Sequence, residues 1–201
     1  MKTFTIGKKK IVLKEEWMVG FITTWIVGLL AHAYRFFNFL PIWDSIYNFT
    51  GVGSTYTLGR WFLGYAGLIT SMFDLPWVNG AFSLFYISIV VILLTEMFEI
   101  KNKGMIVLCA AIFVSFPTVV SSFAYMYTAD AYLLAFLLAT LAVYLTWCVK
   151  KWGTIAGMVC LAFAMGIYQA YATVAIVLVL LYIIRQFVIE KLDFLLSLIH
   201  I

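Results

Sequence analysis

Charge is what this sequence has least of. Only 11% of its 201 residues are Asp, Glu, Lys or Arg, against 65% hydrophobic ones. Soluble domains carry roughly 25% charged and 45–50% apolar residues, so an ordinary soluble domain is excluded. Proline is confined to Pro41, Pro76 and Pro117, and no Pro/Gly/Ser linker, low-complexity tract or internal repeat divides the chain. One domain over residues 1–201 follows. The three cysteines, Cys109, Cys148 and Cys160, lack metal-ligand spacing and sit in apolar runs, so they read as small buried hydrophobes. There is no Walker loop, GxGxxG, HExxH, CxxC or GxSxG, and Gly51-Val52-Gly53 lacks the lysine that a phosphate loop needs. Three separated aspartates and a histidine have no diagnostic metal spacing, so the sequence shows no required cofactor.

What is present is a series of long uncharged runs, the mark of a polytopic membrane protein. Residues 1–16 hold five lysines and two glutamates, read as a solvated basic tail on the cytoplasmic side. Trp17–Tyr34 runs eighteen residues without a charge, enough for one span and too long for a cleaved signal. Residues 35–74 form a first outer loop. Within it Trp61–Phe73 is apolar, but thirteen residues make only about 20 Å of helix, so an interfacial or re-entrant helix is expected. Leu75–Thr95 is the second span and Glu96–Gly104 a charged turn. A third span runs from Met105 to about Ser121 with a kink at Pro117. Ser122–Asp130 is a polar exit, and Ala131–Val149 is the fourth span.

Trp152–Ile184 is uncharged over thirty-three residues, about 50 Å as one helix and well beyond a bilayer core of ~30 Å. The polar-aromatic break Tyr168-Gln169-Ala170-Tyr171 divides it into two short spans. With that turn, all but Arg35 and Arg60 of the thirteen Lys and Arg residues, eleven in all, fall on one side. That is a positive-inside pattern, and it accounts for the formal charge of +4 without nucleic acid. The expected fold is therefore all-α: a transmembrane bundle of about six spans, with short helices in the first outer loop. Leu192–Ile201 reads as the start of another apolar segment, so the chain is expected to be the N-terminal part of a longer protein.

The polar chemistry gathers at the outer face. Pro41–Phe62 holds Asp44, Arg60, several aromatics and the glycines Gly51, Gly53 and Gly59; Asp74, Asp130, His32 and Arg35 belong to the same layer. Each also has a plain reading. Asp44, Asp74 and Asp130 precede helices and suit helix starts. Arg35 and Arg60 suit snorkelling to phosphates. His32 suits an interhelical hydrogen bond, and Tyr168, Gln169 and Tyr171 suit interfacial anchors. The sequon Asn48-Phe49-Thr50 is too frequent by chance to carry weight.

An early outer-loop Asp44, the run Thr57-Leu58-Gly59-Arg60-Trp61, a second outer acid at Asp130 and the short helical pair meeting at Gly166-Ile167-Tyr168-Gln169 resemble the bacterial membrane glucosyltransferases of Gtr type II. Those belong to the GT-C class of polytopic glycosyltransferases, and the resemblance covers roughly residues 15–190. It implies a GT-C-like bundle in the bacterial cytoplasmic membrane, with its N-terminus cytoplasmic and its active site extracytoplasmic. It also implies inverting transfer of a sugar, glucose in the family, from a polyprenyl-phosphate donor to a cell-surface glycan such as O-antigen. Asp44 maps onto the catalytic acidic residue of the first loop, as general base, and Asp130 onto the second. Arg60, Trp61, Arg35, Tyr47, Tyr168 and Gln169 are the implied donor phosphate and sugar contacts. Trp43, Tyr56, Tyr125 and Tyr127 add flat surfaces for a sugar ring. Two other readings remain open at this level: a lipid-linked-sugar flippase, and a membrane fragment without catalysis.

Overall fold

The computed structural model describes residues 2–6, 9–47, 58–70, 73–149 and 151–199, with side chains over 14–46, 58–70, 73–149 and 151–189. Helices α1 (Glu15–Phe37) and α4 (Pro76–Met97) bracket the first loop, in which lie the short α2 (Trp43–Tyr47) and α3 (Leu63–Ala66). Then follow α5 (Lys103–Ser115), α6 (Pro117–Ser122), α7 (Met126–Cys148), α8 (Gly153–Ile167) and α9 (Ala172–Ile199). The architecture is an all-α membrane bundle, as the composition demands.

Local chemistry sets most of the ends. Glu15 and Glu16 occupy the first turn of α1 and Arg35 its last, matching the helix dipole at both ends. Pro76 opens α4 in its first turn, where its missing N–H is no loss. Asn102 caps α5 by accepting the Met105 N–H at 3.1 Å. At Phe116 the backbone turns extended (ψ 140°) and Pro117 opens α6. The expected kink is therefore a break between two helices, because the residue before proline is driven out of helical geometry.

Three expectations change. Residues 1–16 are not a featureless tail: Lys2–Ile6 (β1) and Lys9–Leu13 (β2) pair antiparallel, with Phe4 opposite Ile11. The β-branched content of Thr-Phe-Thr-Ile and Ile-Val favours extended pairing. The polar exit at 122–130 is itself helical: Phe123–Tyr125 makes a 3-10 turn and α7 starts at Met126, so Asp130 lies inside the helix. The C-terminal apolar run opens no new element, since α9 continues through it to Ile199.

Four stretches are long and apolar enough to cross a membrane: Glu15–Phe37, Pro76–Met97, Lys103–Cys148 and Gln169–Ile189. The third, 46 residues by hydropathy, is two legs in space. A Cβ on Gly20 would lie 3.1 Å from Val91 and 3.5 Å from Ile106, and His32 Nε2 bonds the Val114 carbonyl at 2.9 Å. So α5 runs parallel to α1. After α6 the chain reverses: Asn79 of α4 bonds the Met126 carbonyl at 2.7 Å, and Met97 packs with Val143, so α7 runs parallel to α4.

Two ends of the bundle result. At one, Lys14 and Trp17 bond Glu96 at 2.5 and 2.6 Å, Lys103 bonds Glu15 at 2.7 Å, and Arg185 bonds Glu99 at 2.9 Å. Pairs at a solvated end of this kind are weakened by water and salt, so they fix register more than stability. At the other end lie the first loop, α6 and the α8–α9 break.

Helix α7 is the axis, packed by α4, α8 and α9. Small residues on it, Ala129, Ala131, Ala135, Ala139 and Ala142, are all buried. Large apolar side chains such as Ile26, Leu30, Leu180 and Phe187 point outward, as suits a hydrocarbon solvent. In that solvent apolar burial does not drive helix association, so close packing must. Four buried hydroxyls are satisfied inside their own helices: Thr24, Ser88, Thr95 and Thr140 each bond the carbonyl four residues back.

Candidate active site

At the loop end, α6, α7, the α8–α9 break and the first loop enclose a cavity of about 540 Å³. Its walls carry Asp44, Arg60, Thr118, Ser121 and Ser122, with five tyrosines: Tyr125, Tyr127, Tyr132, Tyr168 and Tyr171. Thr118, Ser122, Tyr171, Thr173 and Val174 are shared with a second, almost wholly apolar cavity of about 470 Å³ that descends between α5, α7 and α9, past Phe113, Phe136, Val177 and Leu181. A polar chamber and an apolar groove along the helices thus adjoin across these five residues.

Asp44 sits in the first turn of the five-residue α2 and is exposed. It lies inside that helix rather than at the position before it. Beside it Ser45 closes a local turn, its hydroxyl accepting from Ile42 N–H at 3.0 Å and donating to Ile42 carbonyl at 2.8 Å. Arg60 follows Gly59, whose φ of +75° turns the chain in a way that favours glycine. The Arg60 guanidinium lies 4.5 Å above the Tyr168 ring, and Tyr168 stacks on Tyr132 at 5.5 Å. Its Nη1 reaches the Tyr132 hydroxyl only at 3.5 Å, and its Nε is buried without a partner. A charge with donors left over beside a cavity is suited to an anion.

Other predicted site residues stand elsewhere. Asp130 is 2% exposed and does not line the cavity. It accepts from Thr70 Oγ1 at 3.0 Å and, at 3.5 Å, from Asn79 Nδ2, joining α7 to α4 and to the segment after α3. As it lies within α7, it does not cap that helix. Arg35 directs its donors to backbone: Nε to Phe123 carbonyl at 2.8 Å, Nη2 to Ala124 carbonyl at 3.2 Å and Nη1 to the Leu40 carbonyl. It pins the end of α1 to the turn before α7. Asp74 makes no cap hydrogen bond to α4, and both its oxygens are buried without a partner. Burial holds its carboxyl above the usual range, partly offset by Arg35. His32 bonds Val114 between helices, as its plain reading had it.

Trp61 packs its ring on Gly166 and Phe163, and Gln169 bonds the Leu58 carbonyl at 2.9 Å. Both lie behind Arg60 and do not line the cavity. Tyr47 has only its backbone described; Tyr56, Thr57, the Gly51–Gly53 pair and the Asn48–Thr50 sequon lie outside the described residues. Among the described residues, no three His, Cys, Asp or Glu side chains gather as a metal site. The cysteines differ from expectation: Cys148 is exposed and Cys109 and Cys160 are half-buried, because the apolar faces that carry them look outward.

Sequence reasoning passed over Tyr132 and the Thr118, Ser121 and Ser122 wall. The available signal was spacing. Thr118 and Ser122 stand four apart, and Tyr125, Tyr132 and Tyr171 reach the same cavity only once α7 and the α8–α9 break are placed side by side.

Residues 33–200 match the family described as glucosyl transferase GtrII. The chain belongs to the GtrII family. A glucosyltransferase with membrane-type helices is thus the coarse identity of the molecule. Comparison with curated proteins and with solved structures gives no match.

Proposed function

We propose that this GtrII-family chain moves glucose from a polyprenyl-phosphate donor to a cell-surface glycan at the outer face of the bacterial cytoplasmic membrane. The observation that carries the proposal is the adjoining pair of cavities, which share five lining residues, with Asp44 and Arg60 on the polar one. A donor of this class has a sugar and a phosphate for the chamber and a long apolar tail for the groove. In this reading the groove between α5 and α9 seats the first part of the tail and leaves the rest in lipid. The tyrosines offer flat surfaces to the sugar ring.

The step is an in-line displacement. The acceptor hydroxyl oxygen attacks the anomeric carbon as the bond from that carbon to the phosphate oxygen breaks, inverting configuration. Asp44 accepts the hydroxyl proton as general base. The leaving polyprenyl phosphate gains negative charge, which Arg60, with donors still available, stabilises. A leaving group of this kind needs charge stabilisation more than protonation, so one carboxylate suffices. Asp130, bound between helices, then acts as a structural tie for the segment behind the cavity. The six legs between the two ends of the bundle are read as six membrane crossings, with the lysine-rich end cytoplasmic.

The test is Asp44→Asn, assayed for glucose transfer in membranes containing the polyprenyl-phosphate-glucose donor. Transfer should fall by roughly 10²–10⁴-fold, the usual worth of a general base, at unchanged protein level. Transfer at the wild-type rate would defeat the assignment.

A further inference from the structure

The Arg60 segment is fastened from behind by contacts that take no part in the cavity. Gln169 Nε2 donates to the Leu58 carbonyl at 2.9 Å. The Phe62 N–H donates to the Gly166 carbonyl at 2.8 Å, one of the carbonyls that the end of α8 leaves without a helical partner. Trp61 lies so close on Gly166 that a Cβ there would come 2.5 Å from the ring. Phe163 meets the rings of both Trp61 and Phe62, at 5.6 and 4.6 Å. On the other side a Cβ on Gly59 would lie 2.6 Å from Gln169 Nε2. The sequence elements Gly59-Arg60-Trp61 and Gly166-Ile167-Tyr168-Gln169 are thus two halves of one joint, interlocked through their glycines.

The joint is placed where the helix breaks. Tyr168 is extended (φ −157°, ψ 120°) between α8 and the 3-10 turn Gln169–Tyr171. Two adjacent residues therefore face opposite ways, Tyr168 toward the Arg60 guanidinium and Gln169 back to the chain two residues before it. Nε is buried and unpartnered and Nη1 only loosely met, so in the cavity wall the guanidinium rests chiefly on the Tyr168 ring, and its height follows where Tyr168 and the 58–62 segment stand.

We infer that Gln169 is a positioning residue, latching the 58–62 segment to the α8–α9 break so that Arg60 is held in the cavity. The inference rests on the transferase reading for its kinetic consequence, but not for the latch itself. Because Arg60 meets more charge on the leaving phosphate than on the bound donor, misalignment lowers kcat more than it raises KM.

Two measurements on the full chain separate the latch from the chemistry. The first is trypsin cleavage after Arg60 in detergent-solubilised protein, with the fragments identified by mass. Gln169→Ala should speed that cut severalfold, and so should Gln169→Asn, whose shorter amide falls short of the Leu58 carbonyl. An unchanged rate in both variants overturns the latch, whatever happens to activity. The second is a double-mutant comparison with the polyprenyl-phosphate-glucose donor. Gln169→Ala should lower kcat about tenfold with KM little moved, and should add almost nothing on an Arg60→Ala background, because it acts through Arg60. Losses that multiply overturn the positioning role even if the cut is faster. A faster cut together with an Arg60→Ala variant that transfers normally keeps the latch and defeats the transferase assignment of Arg60 instead.

Discussion

Arg35 and Arg60 stand at the same end of the bundle and serve opposite purposes. Arg35 meets three backbone carbonyls, so replacing its planar fork with a single ammonium removes bonds that lysine cannot remake. Arg35→Lys should lower thermal stability with little effect on donor KM. Arg60 keeps donors in reserve, and its loss should be felt in turnover. Asp74 gives a pH prediction. Its folded-state pKa is raised by burial above the ordinary value of 3.8, so the native state binds its proton more tightly than the unfolded chain does. That contribution to stability is complete below the ordinary value and is lost as pH rises through the raised one. Asp74→Asn should flatten the stability-against-pH curve over that window and leave the protein at least as stable at neutral pH, as read by thermal unfolding in detergent. A carboxylate that helped the fold when ionised would show the reverse slope.

At the scale of elements, α8 is the helix whose packing is most exacting. It is fifteen residues long, about 22 Å at 1.5 Å per residue. It begins Gly153-Thr-Ile-Ala-Gly157, the small-xxx-small pattern that lets membrane helices approach backbone to backbone. A Cβ on Gly157 would lie 2.5 Å from Thr146 Oγ1 and 2.7 Å from the Ala142 carbonyl. The hydroxyl can move, but the backbone oxygen cannot. Gly157→Leu should therefore push α8 from α7 and lower stability by ~1–3 kcal/mol, seen as a lower unfolding temperature. Because α8 carries the Tyr168–Gln169 corner, the same change should also loosen the Arg60 segment. That the 152–184 run must divide was legible from length, since one helix would overshoot the bilayer, and its place at Tyr168–Tyr171 from the polar-aromatic break and the positions of lysine and arginine. The tight face of α8 is also written in the sequence, in the four-residue spacing of Gly153 and Gly157.

For the whole molecule, the orientation can be tested directly. An impermeant thiol reagent applied to intact cells should label a cysteine introduced at Leu58 and spare one at Asn102. Labelling at Asn102 alone would put the cavity on the cytoplasmic side and remove the proposed outer-face reaction. The helical membrane class, the order of the legs and the gathering of Asp44, Asp74, Asp130 and the cavity's tyrosines toward one end were all set by the sequence, because hydropathy runs and lysine placement act locally along the chain. Which of the clustered groups share a chamber was not. Asp130 and Arg35 carry the same chemistry as Asp44 and Arg60, and nothing in their neighbours along the chain separates them. Tertiary packing alone turned one pair inward, against Thr70, Asn79 and backbone carbonyls, and left the other on a cavity. Which way a side chain faces depends on how helices rotate against one another, and contacts distant in sequence fix that rotation.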